Sequence, residues 1–208
     1  MTLTDFAFEV HDNAVKHGWW EEEHPFDEIV ALIHSELSEA LEEYRLGRPE
    51  FYQLCTSSDG SPCLRNGCGD WSDGVCELNS LDSDPKGVAV ELADAVLRIF
   101  DWFGKEHLDT AELIGEAHER RENMQDIPVP VKDATFAGLI GRWHAMVSAA
   151  YMRWYTASGT HSAALRLAAV VGELTAWIDR NGGDSMELLQ MRHQYNKNRT
   201  YRHGGKKI

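Results

Sequence analysis

Two pairs of acidic residues have the spacing at which helical side chains share one face. The stretch HSELSEALEEYR contains Glu36 and Glu39, and ELAD contains Glu91 and Asp94. Residues three positions apart on a helix project in the same direction. If the two helices pack antiparallel, the four carboxylates converge, and hard oxygen ligands of this kind suit Mg²⁺ or Mn²⁺. Many helices carry such pairs by chance, so a solvated helix face explains the spacing equally well.

The segments that carry these acids are predicted to be helices. Apolar residues recur with helical spacing along nearly the whole chain, and no segment alternates convincingly as a strand would. The pattern predicts an all-α fold, a helical bundle in which Asp109 caps one helix with Glu112 three residues on. The predicted helices cover residues 5–17, 25–46, 85–103, 109 to the residues before DIPVP, 133–156, 161–181 and 184–200.

Residues 50–85 interrupt the helical pattern and are rich in Gly, Ser, Asp, Asn and Cys. We interpret them as a long loop or insertion. The four cysteines of the chain fall here with the spacing C-x7-C-x4-C-x7-C, which contains no C-x2-C pair. Zn²⁺ is therefore the lesser alternative to free thiols, and a reducing cytoplasm disfavours disulfides. The cysteines are Cys55, Cys63, Cys68 and Cys76.

The composition narrows the class of protein. The chain has 208 residues, enough to bury a substantial core, and a net charge of −14. A general nucleic-acid-binding protein needs a basic face, so the charge argues against that class. The first residues lack the cationic start and apolar run of a signal peptide, and no apolar run is long enough to span a bilayer. We expect a soluble, cytoplasmic protein that does not bind membranes.

The second half of the sequence resembles the first half. A shift of 75 positions aligns residues 91–124 with 166–199 without a gap, and a shift of 110 aligns the helix of Glu36 with the helix of Met146. The two shifts differ by 35, about the length of the insertion. Apart from a chance likeness between amphipathic helices, this indicates a duplicated unit. Aligned pairs include Trp102 with Trp177, Asp109 with Asp184, Phe26 with Phe136, and Tyr44 with Trp154.

On this interpretation residues 1–127 form one half, which carries the insertion, and residues 131–208 form a degenerate copy within one compact domain. The four acids are missing from the copy. Acids that only solvate a helix would be replaced by other polar groups, whereas Met and Ala indicate buried positions. A buried carboxylate cluster costs several kcal/mol unless it is compensated, and a metal ion compensates it. The residues at the equivalent positions are Met146, Ala149, Arg166 and Ala169.

The acidic motifs also resemble those of a known family. HSELSEALEEYR followed by VELADAVLRIFDWFG resembles the paired E-x2-E and E-x2-D motifs of MazG-like proteins, the all-α nucleoside triphosphate pyrophosphohydrolases. The resemblance extends to AVKHGWWEE before the first motif. The closing RHQYNKNRTYRHGGKKI is similar to the family's K-x3-N-x2-R segment and basic tail. Together these pieces cover most of residues 8–46, 86–120 and 184–208.

The resemblance implies Mg²⁺-dependent cleavage of a nucleotide between its α- and β-phosphates, giving a monophosphate and pyrophosphate. It assigns the four acids of the two pairs, Glu36, Glu39, Glu91 and Asp94, as ligands of one or two Mg²⁺ ions, with Mn²⁺ as an alternative. Glu39 is the suggested acceptor of the proton from the attacking water.

The resemblance also implies a set of substrate-binding residues. Arg192, Asn196 and Arg199 match the K-x3-N-x2-R positions, with Arg in place of the usual Lys. Core packing is an equal alternative for the two tryptophans of the set. The further candidates are His203 and Lys206 for phosphate, and His11, Trp19 and Trp20 for the base.

The chain departs from the short family pattern because an extra half separates the acids from the basic segment. The first half has Arg121 and Met124 where the second has Asn196 and Arg199. We therefore expect one composite site per chain, built from both halves, in a monomer that acts as a pseudo-dimer or in a homodimer.

Two alternatives remain at this stage: a narrower dUTP or dCTP hydrolase of the same superfamily, and a non-catalytic helical binding or regulatory protein with a relic metal site. A ferritin-like di-metal protein would require Glu-x2-His pairs, and neither acidic motif ends in His.

Overall fold

The computed structural model describes residues 1–54, 84–120, 124, 134–156 and 159–201. The described residues form seven helices and one two-stranded ladder, so the predicted all-α fold is confirmed. None of these helices combines the length and the apolarity that crossing a membrane requires. The helices are α1 (Leu3–Lys16), α2 (Phe26–Arg45), α3 (Val88–Lys105), α4 (Thr110–Arg120), α5 (Phe136–Tyr155), α6 (Gly159–Arg180) and α7 (Ser185–Lys197).

The helix starts follow from the capping residues in the sequence. The Asp109 side chain accepts from the backbone N–H of Glu112 at 3.0 Å, as the spacing predicted. Its partner under the shift of 75, Asp184, accepts from the backbone N–H of Glu187 at 2.9 Å and caps α7 in the same way. Helix α1 begins two residues earlier than predicted because Thr2 forms a capping box with its first turn.

The predicted absence of strands is wrong at the base of the insertion. Strand β1 (Tyr52–Leu54) pairs antiparallel with β2 (Asp84–Lys86), and α3 therefore begins at Val88 and not near Pro85. Three-residue strands are too short to show an alternating pattern. Between β2 and α3, Gly87 adopts φ 115°, and a Cβ there would lie 2.5 Å from the Glu50 carbonyl oxygen. The turn thus requires glycine.

Helices α2, α3, α5 and α6 form the centre of the molecule. Helix α2 packs against α3, α5 packs against α6, and the two pairs meet along α2–α5 and α3–α6. Helices α4 and α7 each pack on a central helix of the other half: α4 packs on α6, and α7 packs on α3. Helix α7 therefore lies against the helix that carries ELAD.

Aromatic contacts repeat between the two halves. Phe26 stacks on Trp154 at 4.6 Å between ring centroids, and Phe136 meets Tyr44 at the same 4.6 Å. Phe26 corresponds to Phe136 and Tyr44 corresponds to Trp154. These are therefore the same contact made twice, with the partners exchanged. An isologous two-fold interface produces reciprocal contacts of this kind.

Two further contacts have the same reciprocal relation. Phe26 lies 4.6 Å from Trp102, and the equivalent pair Phe136 and Trp177 is separated by 5.1 Å. His34 and His144, which are equivalent under the shift of 110, contact each other: their Nδ1 atoms are 2.7 Å apart. A residue contacts its own equivalent only where a two-fold axis passes between them.

Among the described helices, α1 has no counterpart in the second half, and it packs on α3. The approach is close at Gly104, where a Cβ would lie 2.5 Å from the His11 Cβ and 2.7 Å from the Ala7 carbonyl oxygen. This packing brings α1 and the residues after it to the side of α3 that carries the acids.

Candidate functional site

Three of the four predicted metal ligands converge. Glu36 on α2 and Glu91 and Asp94 on α3 offer oxygen atoms that all lie within 4.8 Å of one another. Glu36 is 8% exposed and Glu91 is 5% exposed. Neither acid is part of a solvated helix face, so the alternative left open by the sequence does not apply to these two residues.

The surroundings of the cluster disfavour its negative charge. Burial, and then repulsion from Asp94 and Glu36, raises the pKa of Glu91 to about 8. Burial likewise raises the pKa of Glu36 to about 7, against the opposing effect of Arg98. The Glu91 carboxylate takes part in no hydrogen bond or ion pair among the described residues. A divalent cation would supply the missing positive charge, and an all-oxygen donor set is the kind that Mg²⁺ prefers. The residues therefore fit the ion that the sequence predicted.

Glu39 lies beside this cluster but is not part of it. It is exposed, it lines the same cavity, and the Ser35 hydroxyl donates to it at 3.1 Å. Its position at the rim differs from the equal share in the metal site that the motif predicted. It leaves a solvated carboxylate within reach of a molecule bound in the cavity.

Two arginines hold the acids in position. The Arg98 Nε donates to Glu36 at 3.0 Å, and Arg192 of α7 forms a two-pronged pair with Asp94, with Nε–Oδ1 at 2.8 Å and Nη2–Oδ2 at 2.7 Å. The Asp94 pair joins the two halves of the chain. Bidentate arginine–carboxylate pairs are the stronger kind of ion pair and fix the relative orientation of both groups.

The other two members of the basic segment face the same cavity. The Asn196 Oδ1 is buried without a hydrogen-bond partner among the described residues. Arg199 contacts the ring of Tyr195 at 5.7 Å and makes no ion pair in the part of the chain that the structure describes. Both side chains therefore retain hydrogen-bonding capacity for a ligand.

All of these residues line one cavity of about 310 Å³ between α1, α2, α3 and α7. The acids, the arginines and Asn196 come from segments far apart in the sequence, and the structure brings them together. The lining is Val10, Asn13, Ala14, His17, Trp19, Leu32, Ser35, Glu36, Glu39, Lys86, Glu91, Asp94, Leu97, Arg98, Asp101, Arg192, His193, Asn196 and Arg199.

The three candidates for base contact separate into two groups. Trp19 lines the cavity, and the Arg98 guanidinium lies 5.6 Å from its ring. His11 and Trp20 are not among the lining residues and stand behind Asp101 instead. The Asp101 Oδ1 is 2.8 Å from the His11 Nδ1 and accepts from the Trp20 Nε1 at 2.9 Å. These two residues contact the cavity only through Asp101.

The sequence reasoning missed Lys86, Arg98, Asp101 and His193. Arg98 and Asp101 could have been found, because they continue the helical face of Glu91 and Asp94 at intervals of three or four residues. Lys86 depends on the short ladder that was not predicted. The remaining predicted residues, His203, Lys206 and the four cysteines, lie outside the described part of the chain.

A second cavity is larger but has different chemistry. It encloses about 730 Å³ beside the turn between α6 and α7 and is lined by apolar residues such as Phe51, Trp177 and Met191. Its described lining contains Glu50 and acids of the α7 start but no Lys, Arg or His. A cavity without cations does not suit a phosphate ligand.

Comparison of the chain with models of known families, with curated proteins and with solved structures found no match. The function must accordingly be inferred from the chemistry of the site itself.

Proposed function

We propose that this protein is a Mg²⁺-dependent nucleotide pyrophosphohydrolase that cleaves a nucleoside triphosphate between its α- and β-phosphates. One observation carries the proposal: a buried carboxylate cluster from α2 and α3 shares one cavity of about 310 Å³ with Arg192 and Asn196 of α7 and with Arg199 just after it. Acids that suit a divalent cation and cations that suit phosphate are the two requirements for phosphoanhydride hydrolysis.

The acids have the role of holding the ion. Glu36, Glu91 and Asp94 would bind Mg²⁺, and their buried negative charge would be neutralised by it. The ion would supply charge neutralisation on the phosphate oxygens and a bound water of lowered pKa. Glu39 lies at the rim of the same cavity and is the carboxylate available to accept a proton from the attacking water.

Residues of α7 and of the segment that follows it have the role of orienting the phosphates. Among the described residues, the Arg199 guanidinium donates to no carboxylate and the Asn196 Oδ1 has no hydrogen-bond partner. Arg192 is paired with Asp94, so it can donate to a ligand only at a position beside the carboxylate cluster. A planar guanidinium can bind two phosphate oxygens at once, which fixes the position of the phosphate chain.

The test is an assay of pyrophosphate release from a panel of canonical and modified nucleoside triphosphates, with and without Mg²⁺. We expect equimolar monophosphate and pyrophosphate from at least one nucleotide, and none after chelation of the metal. Release of inorganic phosphate with a diphosphate product would contradict the position of cleavage. Failure of every nucleotide to release any product would favour the alternative of a non-catalytic binding protein.

A further inference from the structure

The cavity is chemically different at its two ends. Glu91, Asp94, Arg98 and Asp101 follow one another on one face of α3, so the lining extends along the helix axis. From Asp94 to Asp101 the rise is about 10 Å, at about 1.5 Å per residue. A nucleotide likewise has its phosphates at one end and its base at the other. If the acids and arginines take the phosphates, the end at Asp101 faces the base.

The Asp101 carboxylate is held rigidly. Its Oδ1 lies 2.8 Å from the His11 Nδ1 and accepts from the Trp20 Nε1 at 2.9 Å. Its Oδ2 accepts no hydrogen bond from the described residues, and Asp101 borders the cavity. Asp101 is a largely buried carboxylate that borders the cavity; its Oδ1 has two hydrogen-bond partners and its Oδ2 has none among the described residues, so it can accept from a ligand donor.

We propose that Asp101 determines base specificity by accepting a hydrogen bond from the exocyclic amine of cytosine or adenine. This inference rests on the proposed function, since it assumes that the phosphates occupy the acidic end. Trp19 also lines the cavity, and the Arg98 guanidinium lies 5.6 Å from its ring. His11 and Trp20 are positioning residues, because they act on the ligand only through Asp101.

The geometry favours a base with a single amine donor. Guanine would present its N1–H and its amino group side by side and would need both carboxylate oxygens, but Oδ1 already serves His11 and Trp20. Cytosine N4 and adenine N6 each require one acceptor. Uracil and thymine present O4 at the corresponding position, and two facing acceptors repel each other. Sites built around such a hydrogen bond reject analogues that lack the donor by large factors.

The test compares Asp101→Asn with the wild-type protein. The indole N–H of Trp20 can only donate, so the new amide keeps its carbonyl oxygen there and turns its NH₂ group toward the cavity. The variant should then bind a keto base about as well as an amino-bearing base. We expect kcat/KM of the wild type to be about 10²-fold higher for dCTP than for dUTP, and the variant to lower that ratio by about the same factor.

Asp12→Asn is the matched control, since this substitution makes the same chemical change at an exposed position of α1. It should leave the ratio unchanged. A second measurement is the equilibrium binding of dCMP and dUMP with Mg²⁺, followed by tryptophan fluorescence. The wild type should bind dCMP more tightly, and Asp101→Asn should remove the difference.

The outcomes separate the two proposals. Hydrolysis of nucleotides without a preference for amino-bearing bases overturns the role of Asp101 and leaves the proposed function intact. Binding of dCMP over dUMP that depends on Asp101, without hydrolysis of any nucleotide, supports this inference and overturns the proposed function. If Asp101→Asn does not fold, the wild-type panel decides: a preference for dUTP over dCTP overturns the inference.

Discussion

The two halves of the molecule use the same aromatic scaffold but differ at the acidic cluster. In the first half, Glu36 on α2 pairs with Arg98 on α3. In the second half the charges are reversed: Glu173, the equivalent of Arg98, sits on α6 and accepts from Arg142 on α5 at 2.8 Å. Arg142 lies one turn before Met146, the equivalent of Glu36, on α5. Each half therefore satisfies one buried ion pair between its central helices.

The difference lies in what surrounds that ion pair. The second half has Met146 and Ala169 where the first has Glu36 and Asp94, and both residues are buried. The Trp143 Nε1 also donates to Glu173 at 3.2 Å, so both carboxylate oxygens of Glu173 accept hydrogen bonds from residues of α5. The scaffold can thus be built without a carboxylate cluster. The acids of the first half need a reason beyond folding, and the Mg²⁺ proposed above would provide it.

The largest expected effect concerns turnover. Glu91→Gln should lower the rate of pyrophosphate release by at least about 10³-fold, because it removes a ligand from a site worth several kcal/mol of charge stabilisation. The rate is measured with saturating Mg²⁺, and a far-ultraviolet circular dichroism spectrum checks the fold. The exposed Glu22→Gln serves as the control for the same chemical change. Undiminished turnover in Glu91→Gln would contradict the metal site.

The difference between the two halves can be tested by placing an acid in the second half. Met146→Glu should destabilise the protein by about 3 kcal/mol or more, because the position is fully buried and Arg142 is already paired with Glu173. The measurement is urea denaturation in the presence of Mg²⁺. Met152→Glu on the same helix, at a site 59% exposed, should have little effect. Equal stability of both variants would mean that this half tolerates an acid as the first does.

The contribution of the second half to the site is tested at Arg199. Arg199→Met installs the residue of the equivalent position, Met124. It should lower kcat/KM by about 10²-fold, the effect of about 3 kcal/mol from lost charge-assisted hydrogen bonds to phosphate. Arg180→Met, at an exposed position of α6, is the control. A composite site is contradicted if the two variants hydrolyse nucleotides equally well.

The acidic cluster should also make the metal-free protein sensitive to pH. The pKa of Glu91 is about 8 in the folded protein, above its ordinary value of 4.5, so the folded state binds more protons between these limits. Stability is therefore present at low pH and is lost as the pH rises toward 8. In EDTA at pH 8, Glu91→Gln should raise the melting temperature by a few degrees, at about 2–4 °C per kcal/mol. Mg²⁺ should remove most of this difference, and a lower melting temperature in the variant would contradict the assignment.

The smallest effect is expected where the halves meet. Burial lowers the pKa of both His34 and His144, so the folded state binds fewer protons than the unfolded state below about pH 6.5. Stability is present above that pH and falls as the pH drops toward 5. His144→Gln should flatten this dependence by about 1 kcal/mol or less, measured by urea denaturation at pH 7 and pH 5. Exposed His118→Gln is the control, and an identical slope in both variants would exclude the histidine contact as its source.

Much of the fold was predictable because its signals are local. Periodic apolar residues predicted the helices, and aspartate followed by glutamate three residues later predicted the cap at Asp109, which Asp184 repeats in the structure. The short ladder of β1 and β2 was not predictable, since backbone pairing and Gly87 define it and no alternating pattern does. The missing ladder also left Lys86 out of the predicted site, because Lys86 belongs to β2 and lines the cavity.

The candidate site was predictable only in part. The spacing of Glu36, Glu91 and Asp94 and their loss from the second half identified the cluster, whereas Glu39 has the same spacing and lies at the rim. Spacing gives the face of a helix but not how deeply each position on it is buried. For the same reason the sequence could not place Trp19 in the cavity and Trp20 behind Asp101.

The sequence by itself determined the helices, their caps and the set of acids and cations, because each depends on residues within one or two turns. Tertiary structure alone decided which of them meet. Helix α7 packs on α3 of the other half, and this exchange carries Arg192 to Asp94, 98 positions away. Both central pairs offer an apolar face to a helix of this kind, so local patterns cannot choose between them. Only the assembled packing of the two halves makes that choice.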